Sequence, residues 1–129
     1  NQFTALAIDR FGRSGLAEHV AEINTVQWVK RDAMLAALGE NFGDRAEWST
    51  PDGGLYLWLK MPEGMDIAGL RDDALTAGVG YQPGPIFAPD GVSGANYARL
   101  CFGYNTPGEI HEGIARMAEV FRRAGALEG

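Results

Sequence analysis

Two segments of the chain alternate large apolar residues with polar or aromatic ones, and no other pattern in the sequence constrains the fold as strongly. Side chains on a β-strand point alternately to its two faces, so this alternation predicts strands with one buried face. The two segments are residues 55–61 and 97–104. Their predicted buried faces are Leu55, Leu57, Leu59 and Met61 in the first, and Ala98, Leu100 and Phe102 in the second.

The rest of the chain predicts four helices and two shorter strands. Apolar spacing and capping residues predict a first helix at residues 3–11 and a long second helix that Ser14 caps and Gly39 ends. They also predict a third helix from Asp66 to Gly78 and a last helix that begins at Thr106. The short strands are predicted at residues 46–49 and 79–82. A loop rich in proline and glycine is predicted at residues 83–94.

Each longer helix is expected to bury one apolar stripe. The stripes are Leu16, Val20, Ile23, Met34, Leu35 and Leu38 in the long helix, Ile67, Leu70, Ala74 and Leu75 in the next, and Ile110, Ile114, Met117 and Phe121 in the last. Thr106 and Glu109 match a capping box, with Pro107 at the first helical position. The order of elements predicts an α+β fold, with a small, mostly antiparallel sheet packed against helices.

Length and charge exclude several classes of function. A chain of 129 residues has room for one core, and 17 acidic against 11 basic residues give a net charge of −6. This charge argues against a nucleic-acid partner, because such binding depends on clustered Lys and Arg. The longest apolar run, residues 55–59, is too short to cross a membrane. No membrane partner is expected.

The single cysteine and the first residue bear on the setting of the protein. Cys101 excludes an internal disulfide and a CxxC metal site. With no signal peptide visible, we expect a cytoplasmic, reducing environment. The chain begins at Asn1 rather than at a methionine, and we expect it to be a piece of a longer protein.

The usual catalytic side chains predict no activity by themselves. His19 and His111 lie in predicted amphipathic helices without partners at metal-ligand spacing, and we expect structural roles for both. Cys101 lies between Leu100 and Phe102 in a predicted strand, where a free cysteine usually acts as an inert small apolar residue. No metal site is expected.

Arg99 is the residue of the predicted strands that most suggests a binding site. It projects from the middle of its strand on the face opposite the apolar side chains, beside Tyr97. Its guanidinium presents a rigid fork of donors suited to a carboxylate. The alternative is a surface arginine held in a salt bridge.

Tyr56 and Trp58 lie on the face of the first strand that alternation places in solvent. Two aromatic residues there suggest that this face is covered. We expect a neighbouring domain, a second subunit or the amino-terminal helix to cover it. The alternative is that both side chains pack under a loop.

Three strings carry a family resemblance: GGLYLWLKMPEGMD, LRDDALTAGVGYQPGPIF and NYARLCFGYNTPGEIHEGIARMAEVFR. In this order and spacing they resemble the carboxy-terminal small domain of fold-type I aminotransferases, in the branch that includes 2-aminoadipate and valine–pyruvate transaminases. The earlier string WVKRDAMLAAL, with Arg31 and Asp32, is similar to the helix that leads into that domain. The resemblance covers almost the whole chain.

The resemblance implies a homodimeric enzyme that depends on pyridoxal 5'-phosphate and transfers an amino group between an amino acid and a 2-oxo acid. It also implies roles for four residues. The arginine of the family's RLxF strand, here Arg99 in RLCF, pairs with the α-carboxylate of the substrate. Pro83, Gly84 and Phe87 match positions near the substrate entrance.

The chain departs from the family in lacking a suitable lysine. The family binds its cofactor through a Schiff-base lysine in a large domain, and neither Lys30 nor Lys60 matches that position. We therefore expect residues 1–40 to be connecting helices from a missing large domain and residues 41–129 to be the small domain. On this interpretation the isolated chain has no catalytic and no cofactor-binding residue, binds no pyridoxal phosphate and is inactive.

Two other interpretations remain open. Transcriptional regulators that fuse a winged-helix domain to an aminotransferase-like domain have a similar carboxy-terminal part. The sequence upstream of Asn1 would distinguish them from an enzyme. A free-standing binding module that kept the fold but lost the chemistry is the third interpretation.

Overall fold

The computed structural model describes residues 1–127, which form four helices and one sheet. The helices are α1 (Gln2–Ser14), α2 (Leu16–Phe42), α3 (Arg71–Thr76) and α4 (Pro107–Arg123). The strands are β1 (Glu47–Trp48), β2 (Tyr56–Lys60), β3 (Gln82–Pro83) and β4 (Tyr97–Cys101). Two short 3₁₀ turns, Gly43–Arg45 and Gly84–Phe87, follow α2 and β3.

The four strands pair in the order β1-β2-β4-β3, and every pair is antiparallel. Leu57 of β2 lies opposite Leu100 of β4, and Leu59 lies opposite Ala98, so the two apolar faces adjoin on one side of the sheet. This side packs against α2 and α4. The predicted α+β fold is confirmed.

The core lies between this face of the sheet and the helices. Phe121 of α4 is fully buried and makes edge-to-face contacts with Phe42, at 6.1 Å between ring centroids, and with Tyr81, at 5.8 Å. Burying an aromatic ring of this size contributes about 1.5–3 kcal/mol. The Tyr81 hydroxyl donates a hydrogen bond to the Ile67 carbonyl, and its burial raises the pKa of the phenol.

Helix α4 has the predicted start and the predicted stripe. The Thr106 hydroxyl accepts a hydrogen bond from the backbone N–H of Glu109 at 3.3 Å, and the Glu109 carboxylate accepts one from the backbone N–H of Thr106 at 2.7 Å. The predicted inward residues are all buried: Ile110, Ile114, Met117 and Phe121. Local capping and apolar periodicity were sufficient to predict this helix.

The first two helices end later than predicted. Helix α1 continues through Gly12, and the Ser14 hydroxyl donates to the Arg10 carbonyl instead of capping α2. Only Gly15 separates the two helices. Helix α2 passes Gly39 and ends at Phe42, and the φ of +52° at the next residue, Gly43, suits a residue without a side chain. The extra turn buries Phe42 completely in the core, which outweighs the cost of a glycine inside the helix.

The third helix and third strand are shorter than predicted. Residues 66–70 are not helical: the Asp66 carboxylate accepts a hydrogen bond from the backbone N–H of Gly69, and α3 begins at Arg71 rather than at Asp66. Ile67 and Ala74 are buried as predicted, but Leu75 is 47% exposed. Tyr81 turns its side chain into the core, and pairing with β4 begins only at Gln82.

The amino-terminal part of the chain is not buried. No residue of α1 is buried, and α1 packs against α2. Three residues predicted to face inward from α2 are exposed: Leu16, Val20 and Ile23. Helix α2 contributes buried residues to the core only from Met34 onward. Within residues 1–127, no helix has the length and apolar character needed to cross a bilayer.

Candidate functional site

Arg99 lies in the middle of β4 and points away from the core. Its neighbours Ala98 and Leu100 are buried against the helices, whereas Arg99 is half-buried on the opposite face. Arg99 lies opposite Trp58 of β2 on one side and opposite Gln82 of β3 on the other. Two neighbouring strands therefore fix the backbone of Arg99, and its side chain points outward as predicted.

Two aromatic rings contact the guanidinium of Arg99. Its central carbon, Cζ, lies 4.1 Å from the ring centroid of Tyr56 and 4.3 Å from that of Phe87. Both distances are within the range of cation–π interactions. The tyrosine beside Arg99 was predicted to be Tyr97, which is two residues away on the same strand. Tyr97 shares the outer face with Arg99 as predicted, but the tyrosine ring at the guanidinium is that of Tyr56, which the antiparallel register places diagonally across from Arg99.

The hydrogen-bond donors of Arg99 are not used by the described part of the chain. Within residues 1–127, Arg99 makes no ion pair, and its Nε is buried with no hydrogen-bond acceptor. The alternative prediction, a surface arginine held in a salt bridge, is therefore wrong for these residues. Ring faces rather than carboxylates hold this guanidinium, and its in-plane donors are left for another acceptor.

The loop after β3 covers part of the outer face of the sheet. The ring of Trp58 meets the ring of Phe87 edge to face, at 5.3 Å between centroids, and that of Tyr97 at 6.3 Å. Trp58 therefore packs under a loop, which was the alternative prediction for this aromatic face. Tyr56 remains 47% exposed. The predicted cover by the amino-terminal helix is not observed: α1 has no buried residue, and its contacts are with α2.

The three loop residues singled out in the sequence occupy different positions. Phe87 touches Arg99 directly. Pro83 pairs with Ala98 in the sheet, and Gly84 lies against the backbone of Gly94, where an added Cβ would come within 2.2 Å of the Gly94 carbonyl oxygen. Pro83 and Gly84 therefore shape the turn that presents Phe87.

Both lysines are engaged by other groups. The Lys30 Nζ donates hydrogen bonds to the carbonyls of Gly103 at 3.0 Å and Tyr104 at 3.3 Å. The Lys60 Nζ lies 3.3 Å from the Glu47 carboxylate, and this hydrogen bond raises the pKa of Lys60. A Schiff-base lysine must present a neutral amine to an aldehyde. The lysines of this chain do not fit a pyridoxal phosphate site.

The other candidate side chains have structural surroundings. The ring of His19 meets that of Phe11 edge to face at 5.6 Å, and the Nδ1 of His111 lies 3.6 Å from the Glu40 carboxylate. Cys101 is exposed at the end of β4 rather than packed as a small apolar residue, because it lies on the outer face. Among residues 1–127, no group of three or more His, Cys, Asp or Glu side chains is arranged to hold a metal ion.

Comparison with known proteins identifies aminotransferases as relatives. The chain is 36% identical to the aromatic-amino-acid aminotransferase 1 of Thermococcus litoralis over 124 residues, which cover 95% of the chain and 29% of that protein. It superposes on the crystal structure of LysN, the α-aminoadipate aminotransferase of Thermus thermophilus, with a TM-score of 0.84 and 28% identity. That match covers 93% of the chain and 31% of LysN.

A transcriptional regulator is also among the similar proteins. The chain is 28% identical to the uncharacterised HTH-type regulator YdfD of Bacillus subtilis, over 84% of the chain and 22% of the regulator. No protein-family model matches the chain.

The chain spans less than a third of the length of the aminotransferases that it resembles.

Proposed function

We propose that this chain is the small domain of an aminotransferase and supplies its substrate-binding arginine. The premise is that the chain is homologous to the carboxy-terminal part of fold-type I pyridoxal-phosphate-dependent aminotransferases. In this proposal Arg99 binds the α-carboxylate of the amino acid. The observation that carries it is a half-buried guanidinium seated on two aromatic rings with no acceptor among residues 1–127.

The chemistry of a guanidinium supports this choice of ligand. Two parallel N–H donors match the two oxygens of a carboxylate, and such a pair fixes orientation as well as charge. Aromatic surroundings lower the local dielectric constant, which strengthens the attraction of the free cation for an anion. Arg99 would therefore select substrates that carry a carboxylate and would hold them in one orientation.

The complete enzyme would use pyridoxal 5'-phosphate to transfer an amino group between an amino acid and a 2-oxo acid. LysN, which the chain resembles, was crystallised with N-(5'-phosphopyridoxyl)-L-leucine. The cofactor supplies the electron-accepting ring that this chemistry needs. Since both lysines of this chain are engaged elsewhere, the cofactor would be held by another part of the enzyme, and the isolated chain would be inactive.

The domain organisation follows from the same proposal. Residues 1–40 would be the connecting helices and residues 41–129 the small domain. The uncovered α1 supports this division, since a helix with no buried residue needs a partner. Met34, Ala37 and Leu38 would anchor the connecting helix in the small domain. We also propose a homodimer, and a cytoplasmic setting in keeping with the single free cysteine.

A regulator is the second candidate, and the similarity to YdfD favours it. In that case the same fold would recognise an amino acid or the cofactor, and the DNA-binding domain would lie elsewhere. The gene sequence upstream of Asn1 distinguishes the two: a winged-helix segment supports the regulator, whereas a lysine at the Schiff-base position of a large domain supports the enzyme. The net charge of −6 argues against nucleic-acid binding by this chain itself.

Replacing Arg99 in the complete enzyme tests the proposal. Losing one partner of a buried charge pair costs about 2–5 kcal/mol. We therefore expect Arg99→Ala to lower kcat/KM for amino acids by about two to three orders of magnitude. Arg99→Lys should also be impaired, because it keeps the charge but loses the planar fork.

Amines without an α-carboxylate provide the control, since they never use this contact. Their turnover should change little in both variants, with folding checked by circular dichroism. An equal loss of activity for amino acids and simple amines would make Arg99 a structural residue and would refute the proposed role.

A further inference from the structure

The guanidinium of Arg99 is held in an unusual way for a half-buried cation. Tyr56 and Phe87, which we call the ring pair, both lie about 4 Å from its central carbon. No carboxylate of residues 1–127 lies within ion-pair distance of Arg99. The side chain is therefore located by contacts with the faces of two rings and not by ion pairs.

The two rings are themselves fixed by different parts of the fold. Tyr56 is the first residue of β2, and its backbone pairs with Cys101 of β4. Phe87 is the last residue of the turn Gly84–Phe87, and the ring of Trp58 supports it edge to face at 5.3 Å. The ring pair thus comes from two different elements, the strand β2 and the turn that follows β3.

This arrangement avoids a conflict between positioning and binding. A carboxylate of the protein that held Arg99 by an ion pair would occupy the donors that a ligand needs. Ring faces attract the cation through their quadrupole and restrict its long side chain while leaving its edge free. They also exclude water from the faces of the guanidinium, which favours an anion at its edge.

We propose that Tyr56 and Phe87 are positioning residues, which hold the guanidinium of Arg99 in a fixed plane so that its free edge meets the substrate carboxylate. This inference rests on the proposed function, because it presupposes that Arg99 binds that carboxylate. Neither ring needs to touch the reacting atoms. The rings act through Arg99.

Ring-removing and ring-keeping variants of the complete enzyme test the inference. Tyr56→Leu and Phe87→Leu remove a ring face, whereas Tyr56→Phe and Phe87→Tyr keep it. Loss of one cation–π contact is expected to raise KM for amino acids about 3- to 30-fold, with kcat changed much less, because the contact acts on binding. The ring-keeping variants should stay close to wild type.

Two comparisons separate positioning from a general structural effect. Tyr104→Leu is the matched control, because Tyr104 is 91% exposed and, among residues 1–127, its ring contacts neither Arg99 nor another aromatic ring. Amines without a carboxylate should show no rise in KM with any ring variant. Adding Tyr56→Leu to Arg99→Ala should cause no further loss, since the ring would then have no guanidinium to hold.

Three results would overturn the inference. Suppose that Arg99→Ala lowers kcat/KM for amino acids, but Tyr56→Leu and Phe87→Leu have the same KM as Tyr104→Leu. The ring pair then does not position Arg99, and the proposed function still stands. If Tyr56→Leu raises KM equally for amino acids and simple amines, the ring is structural. If Arg99→Ala itself leaves KM and kcat for amino acids unchanged, the proposed function fails and the inference fails with it.

Discussion

The Nζ of Lys30 lies 3.0 Å from the carbonyl oxygen of Gly103, and this hydrogen bond joins α2 to the segment that follows β4. The same ammonium donates to the Tyr104 carbonyl at 3.3 Å. These are bonds that a protonated amine makes best, because a charged donor strengthens them. Lys30 therefore fastens α2 to the segment that follows β4.

The first prediction concerns the chain by itself. Mixed with pyridoxal phosphate, the 129-residue chain should form no stoichiometric covalent lysine adduct and show no transaminase turnover. Lys30 is bonded to two carbonyls, and the Glu47 hydrogen bond raises the pKa of Lys60, which reduces the neutral amine available. Borohydride reduction followed by mass spectrometry measures the adduct. A stoichiometric adduct at either lysine, together with turnover, would contradict the prediction.

The second prediction concerns the turn that carries Phe87. Gly84→Ala should destabilise the chain by about 1–3 kcal/mol, because the new Cβ would lie 2.2 Å from the Gly94 carbonyl oxygen and 3.0 Å from the Cβ of Tyr97. Gly108→Ala is the matched control. It lies in the first turn of α4 with nothing within 4 Å, so it should leave stability unchanged or raise it. Urea unfolding measures both. If both variants changed the free energy of unfolding equally, the close approach of Gly84 to Gly94 would not limit the side chain at this position.

The third prediction is a dependence of stability on pH. The Asp90 carboxylate accepts hydrogen bonds from the Ser93 hydroxyl and from the backbone N–H groups of Val92 and Ser93, and these lower its pKa from 3.8 to about 2. Because the folded-state pKa is the lower one, the stabilisation is complete above pH 3.8 and is lost as the pH falls toward 2.

The asparagine variant isolates this effect. Asp90→Asn should be less stable than wild type at pH 7, and the difference in unfolding free energy should shrink as the pH falls from about 4 to about 2. Urea unfolding at several pH values measures the difference. A difference that stays constant down to pH 2 would mean that the carboxylate charge contributes nothing at this turn.

The fourth prediction concerns association. In α1, Phe3 is 81% exposed and Leu6 and Ile8 are each about two-thirds exposed, so the isolated chain presents an uncovered apolar helix. We expect self-association, because large exposed apolar patches favour contact with other surfaces. Light scattering over a range of concentrations measures it. Replacing Leu6 and Ile8 by lysine should shift the chain toward monomer, whereas a wild-type chain that stays monomeric at high concentration would contradict the prediction.

Local sequence patterns predicted the elements whose determinants lie within a few residues. The alternation in residues 97–104 was enough to assign Ala98 and Leu100 to the buried face and Arg99 to the outer one. Thr106 and Glu109 were enough to locate the start of α4, because a capping box spans only four residues. Both predictions succeeded because side-chain direction and capping depend on the backbone nearby.

The surroundings of Arg99 were predicted only in part. The sequence indicated an outward guanidinium and an aromatic face, but it did not bring Tyr56 or Phe87 to Arg99. Pairing the two alternating segments in the register that aligns Leu57 with Leu100 would have placed Tyr56 diagonally across from Arg99. For Phe87 the family resemblance implied a position near the substrate entrance, but no local pattern indicated its contact with Arg99, which depends on the close approach of Gly84 to Gly94.

The sequence alone determined the class of fold, the two faces of its main strands and the residue on which the candidate site is centred, since periodicity and capping are local properties. The tertiary structure decided that α2 passes Gly39 to bury Phe42, that α1 stays uncovered, and that two rings rather than a carboxylate hold Arg99. The physical reason is that these outcomes depend on the free energy of contacts between residues far apart in the chain, which no local pattern encodes.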